Sequence, residues 1–109
     1  MGIMPVLFLS IAIAAEVAGT VALKYTDGFT RIGPSAIVVA GYGLSFWMLA
    51  LVLKALPIGL TYAVWAAVGT ALIAGIGIVA FDEPAGALKL ASLGLIIAGV
   101  VGLNLAHAH

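Results

Sequence analysis

Cysteine is absent from the 109 residues, and charge is scarce: four Lys or Arg and four Asp or Glu, 7% of the chain, with no net charge at pH 7. The lack of cysteine excludes a disulfide framework, a thiolate metal site and thiol chemistry. The balanced charge gives no sign of nucleic acid or an anionic surface as partner. The first residues, Met1-Gly2-Ile3-Met4, carry no basic group, so no cleaved signal peptide is expected. No nucleophile–base pair or metal-ligand cluster is evident, which argues against an enzyme and against a metal or other cofactor. His107 and His109 read as residues of a frayed tail rather than metal ligands.

What remains is hydrophobic. Apolar residues make up 65% of the chain, against about 45–50% in a soluble domain, which would also carry about 25% charge. The few charges cut the sequence into four apolar blocks: Gly2 to Leu23, interrupted only by Glu16, then Ser35 to Leu53, Ala55 to Phe81 and Leu90 to Ala106. A helix needs about 20 residues to cross roughly 30 Å of hydrocarbon, and each block is near that length. In lipid, backbone groups must be bonded within a helix or a closed barrel. Barrel strands alternate polar and apolar residues, and these blocks do not. The expectation is an all-α membrane protein with helices over 4–23, 35–53, 58–80 and 88–106, residues 1–109 forming a single transmembrane domain.

The connections are short. Lys24 to Pro34 contains Asp27-Gly28, a turn signal, and ends on a proline that suits a helix start. Lys54 to Pro57 and Asp82-Glu83-Pro84 are the other two. Nothing is left over for a water-soluble catalytic head. Lys24, Arg31 and Lys89 fall on one side and Lys54 on the other. This weak bias predicts the first side to be cytoplasmic.

Glu16 lies deep in the first span. A charged side chain at a helix centre costs roughly 2.5–3.5 kcal/mol on insertion scales, and such residues usually face a bundle interior or a wet cavity. No Lys, Arg or His is present within the four apolar blocks to pair with it. One reading is a structural, hydrogen-bonded or protonated acid. The favoured one is a proton or cation site, because desolvation disfavours the bare carboxylate and either species would relieve it. Ala12, Glu16 and Thr20 share a helix face, with Ile13 and Gly19 beside them. These small residues leave room for a ligand or, alternatively, allow close helix packing.

The aromatic residues also group by spacing. Tyr62 and Trp65 are three apart and Tyr42 and Phe46 four apart, so each pair shares a face. A ring within about 6 Å of a cation contributes roughly 0.5–2 kcal/mol. Interfacial anchoring is the alternative and suits Trp47. The chain holds 14 glycines. Gly69, Gly75 and Gly77 would permit a bend in the third span. Gly94, Ala98 and Gly102 form a small-xxx-small pattern in the fourth, for contact either within the chain or beyond it.

Several motifs together resemble one family. They are Ala14-Ala15-Glu16-Val17, Leu23-Lys24, Asp27-Gly28-Phe29-Thr30-Arg31, Pro34-Ser35, Leu56-Pro57-Ile58-Gly59, Tyr62-Ala63-Val64-Trp65 and Asn104-Leu105. With the length and the four spans, they resemble the small multidrug resistance family of bacterial transporters nearly end to end. The resemblance implies an antiparallel homodimer in the bacterial inner membrane, exchanging protons for hydrophobic cations by alternating access. It implies that helices 1 to 3 line a shared chamber and that helix 4 makes much of the dimer contact. By position, Glu16 becomes the shared proton and substrate carboxylate. Tyr42, Tyr62 and Trp65 become the aromatic binding residues, and Ala12, Thr20 and Phe46 further chamber residues.

Ala12, Thr20 and Tyr42 look like the branch that exports quaternary ammonium compounds rather than guanidinium-type cations. Two departures bear on substrate range. Trp65-Ala66-Ala67-Val68-Gly69 stands where the family often has Trp-Ser-Gly-Val-Gly, and Ser92 stands where a packing glycine is common. Rival readings are a guanidinium exporter, a rotary proton-ring subunit and a non-transporting membrane subunit. The ring subunit is disfavoured because it generally has two helices with its acid in the second.

Overall fold

The computed structural model describes residues 3–107. It consists of four α-helices: α1 (Ile3–Leu23), α2 (Ile32–Val52), α3 (Ile58–Ala80) and α4 (Ala87–His107). No strand occurs among the described residues. All four helices are long and apolar enough to cross a membrane, as the block lengths require. His109 and the His107 side chain, read above as a tail, lie outside what is described.

The chain divides into two compact units, one ending at Leu56 and one beginning at Pro57. The first is a helical hairpin of α1 and α2. The end of α1 tightens into i→i−3 bonds from Lys24, Tyr25 and Thr26 to Val21, Ala22 and Leu23, a common way to satisfy terminal carbonyls. The turn signalled by Asp27-Gly28 follows. Asp27, Gly28 and Phe29 are consecutive left-handed residues, with φ of 47°, 68° and 67°. For Asp27 and Phe29 that conformation costs about 1–2 kcal/mol each. Hydrogen bonds offset the strain: the carbonyl of Thr26 accepts from the N–H groups of Thr30 and Arg31 at 3.0 and 3.1 Å. The Thr26 hydroxyl donates to Leu23 O and that of Thr30 to Asp27 O.

Helix α2 begins at Ile32, three residues before the expected start, with Arg31 extended at its N-cap. Pro34 therefore sits inside the first turn rather than ahead of it. The N–H groups of a first turn have no intrahelical acceptor, so the one that proline lacks is not missed.

The second unit holds α3 and α4. Pro57 is extended and caps α3, which spans the expected 58–80 as one continuous helix despite Gly69, Gly75 and Gly77. No α4 residue whose side chain is described is buried. A Cβ placed on Gly94, Gly99 or Gly102 would meet nothing within 4 Å. Tight packing within the second unit therefore does not account for these glycines.

Candidate functional site: a carboxylate and its hydroxyl chain on α1 and α2

The crossing of α1 and α2 is set by two glycines. A Cβ on Gly41 would lie 2.8 Å from the Ala15 carbonyl oxygen and 3.3 Å from the backbone N and Cα of Gly19. The helices approach backbone to backbone, which only the smallest residues allow. On the other side, a Cβ on Gly19 would lie 3.1 Å from two ring carbons of Tyr42. The ring thus occupies the space that a side chain at 19 would fill.

This seating brings the Tyr42 hydroxyl to the face of α1 that carries Glu16. Tyr42 OH lies 2.8 Å from Thr20 Oγ1, and Thr20 Oγ1 donates to Glu16 Oε1 at 3.1 Å. A hydroxyl has a single proton to give. With Thr20 donating to the carboxylate, Tyr42 donates to Thr20. The result is a directed chain from Tyr42 through Thr20 to Glu16. A proton on Glu16 allows the chain to reverse, with the acid donating to Thr20 and Thr20 to Tyr42. Thr20, four residues from Glu16, turns the corner between helices without any charged group.

Glu16, Thr20 and Tyr42 are each half-buried. Glu16 has no ion pair among the described residues; a salt bridge joins Lys89 and Glu83. Phe46 continues the aromatic wall: its ring stacks on Tyr42 with centroids 6.3 Å apart and planes at 27°. It remains 62% exposed. Ala12, on the same α1 face, is fully buried within the protomer.

The first unit thus gathers Glu16, Thr20, Tyr42 and Phe46. Tyr62 and Trp65 are carried by α3 in the second unit, one and two turns from its start. Tyr62 is 69% exposed and Trp65 half-buried. Gly41 was not singled out from the sequence, yet it determines where Tyr42 stands. A signal for it existed: Ala15 and Gly19 are four apart on α1, and Gly41 and Ser45 four apart on α2. Such small-xxx-small pairs mark close helix crossings.

The sequence model of the family described as Small Multidrug Resistance protein matches residues 4–96. The chain is 47% identical to the quaternary ammonium compound-resistance protein QacE of Escherichia coli over 94% of this chain and 96% of that protein. It is 47% identical to a putative ethidium bromide resistance protein of Escherichia coli, over 84% and 80% of the two chains. It is 44% identical to the multidrug resistance protein EbrA of Bacillus licheniformis, over 91% and 94%. A multi-pass chain of four apolar helices, matched along nearly its whole length, it belongs to the small multidrug resistance family.

Proposed function

We propose that this protein exports hydrophobic and quaternary ammonium cations in exchange for protons, by alternating access of an antiparallel homodimer in the bacterial inner membrane. The observation that carries the reading is the state of Glu16. It is a half-buried acid in an apolar helix, held by hydroxyls and with no cationic partner among the described residues. Such a carboxylate accommodates a proton or an organic cation but gains little from holding neither. The names of the relatives, resistance proteins for quaternary ammonium compounds and ethidium bromide, supply the class of cation.

In this mechanism Glu16 of each protomer is the shared carboxylate. Thr20 and Tyr42 stabilise it when ionised by directing the hydroxyl chain toward it. Tyr42, Phe46, Tyr62 and Trp65 offer ring faces to the organic part of the cation. Ala12 keeps the helix behind the carboxylate closely packed. Rings and a single carboxylate leave few polar groups to be orphaned when the ligand changes, so such a site tolerates many substrates. Arrival of the cation favours the ionised carboxylate and expels the proton; a returning proton releases the cation on the other side. The protein is then a carrier and not an enzyme.

The test is electrogenic flux in proteoliposomes, with tetraphenylphosphonium and guanidinium compared. Proton-driven uptake of the former by the wild type, and none by Glu16→Gln, is the expected result. Equal transport by Glu16→Gln overturns the role of the carboxylate. A preference for guanidinium assigns the chain to the other branch of the family.

A further inference from the structure

Outside the Glu16 site, a second polar arrangement stands out where α3 gives way to α4. Asp82 is left-handed, with φ of 55°, and turns the chain back on α3. The carbonyl of Gly77 accepts two hydrogen bonds there, from the N–H of Phe81 at 3.1 Å and from that of Glu83 at 3.0 Å. The Glu83 side chain then lies over Gly77 itself. A Cβ on Gly77 would be 2.7 Å from Glu83 Cδ and 3.2 Å from Oε2. From the other side, Lys89 in the first turn of α4 places Nζ 3.6 Å from Glu83 Oε1 and donates to Pro84 O at 3.2 Å. One carboxylate therefore touches the last turns of α3 and the first turn of α4.

We propose that Gly77, Glu83 and Lys89 form a clasp in which Glu83 is a positioning residue, making α4 follow α3 when the protein reorients. The reading rests on the antiport function proposed above. Two independent features support it. No α4 residue whose side chain is described is buried within its unit, so the Glu83 contacts are a polar link between the two helices that core packing does not duplicate there. And a non-glycine residue is kept left-handed at Asp82, a strain of about 1–2 kcal/mol that a longer or glycine-containing turn would avoid. Tyr62 and Trp65 stand on α3, so a rigid α3–α4 corner carries a movement at the aromatic residues into α4. The clasp lies at the far end of α3 from Tyr62 and Trp65, so it governs the rate of reorientation and not the affinity for the cation.

The experiment uses the full chain in proteoliposomes, with tetraphenylphosphonium as the probe. Amide hydrogen exchange, equilibrium affinity and proton-driven turnover are measured in parallel. Gly77→Ala displaces the carboxylate, so the Phe81 and Glu83 amides lose protection and turnover falls about tenfold, with Kd unchanged. Glu83→Gln and Lys89→Gln, which introduce no clash, lower turnover about two- to fivefold. The exchanged pair E83K/K89E recovers most of that loss. Adding Glu83→Gln to Gly77→Ala costs nothing more. Unchanged turnover in Glu83→Gln and Lys89→Gln, or a Kd that weakens in step with turnover, overturns the clasp. A wild type without proton-driven flux sinks the antiport reading and the coupling with it. Wild-type flux with indifferent variants sinks the clasp alone.

Discussion

Gly19 of α1 and Tyr42 of α2 share one space: the ring lies where a Cβ on Gly19 would come within 3.1 Å of it. That contact puts the phenol hydroxyl within hydrogen-bonding distance of Thr20 and, through Thr20, links it to Glu16. The geometry of the carboxylate is thus set by a steric absence one helix turn away. The consequences can be measured.

The first concerns the helix crossing. At Gly41 the obstacle is backbone, the Ala15 carbonyl, which cannot swing aside. Gly41→Ala should therefore destabilise the hairpin by about 1–3 kcal/mol, the usual cost of overpacking. At Gly19 the obstacle is a side chain that can shift. Gly19→Ala should cost less stability but move the Tyr42 ring. Thermal melts in detergent together with tetraphenylphosphonium affinity separate the two. Equal melting losses would contradict the assignment.

The second concerns the hydroxyl chain. Thr20→Val keeps the shape and removes the donor to Glu16. A hydrogen bond of this kind is worth about 0.5–1.5 kcal/mol, so cation affinity should fall about two- to tenfold. Tyr42→Phe should act in the same direction but more weakly, being one bond further away. Binding isotherms for the two variants beside the wild type would show whether the order holds.

Competition at one carboxylate makes a third prediction. Wild-type affinity for tetraphenylphosphonium should fall as pH falls, and addition of the cation to protonated protein should release protons. Glu16→Gln should show neither effect. Proton release from Glu16→Gln on adding the cation would place the exchange elsewhere.

In the proposed mechanism the aromatic residues separate cation binding from proton chemistry. Trp65→Ala should weaken aromatic cations by about 0.5–2 kcal/mol and leave acid titration of the protein unaltered. Unchanged affinity would remove Trp65 from the site.

The glycines of α4 distinguish contacts within a protomer from contacts between protomers. A side chain on Gly94 or Gly102 meets nothing within 4 Å in its own unit. Gly94→Ile or Gly102→Ile should leave the protomer folded and weaken the proposed homodimer, read as loss of cross-linked dimer in liposomes. A dimer of undiminished strength in both variants would move the interface off this face.

Much of this protein was legible from its residues one at a time. Four runs of apolar side chains with no neighbouring water must satisfy their own backbone groups, and a helix is the local way to do so; the spans followed to within a few residues. The early start of α2 escaped because a proline ends a helix in most positions but is harmless in a first turn. Glu16 was legible because an acid in an apolar run is conspicuous without any partner being known. Its spacing from Thr20 was legible too, since four residues along a helix is a local relationship. The partnership with Tyr42, 22 residues further along the chain, was not. It depends on Gly41 resting against the backbone of Ala15 and Gly19, a contact between two helices that no single helix encodes. The same holds at the other end of the chain. Charge and spacing name Glu83 and Lys89, but only the backward turn at Asp82 and the bare surface of Gly77 bring them together. Local composition decides which segments cross the bilayer; the absence of a side chain at a crossing decides which groups meet inside it.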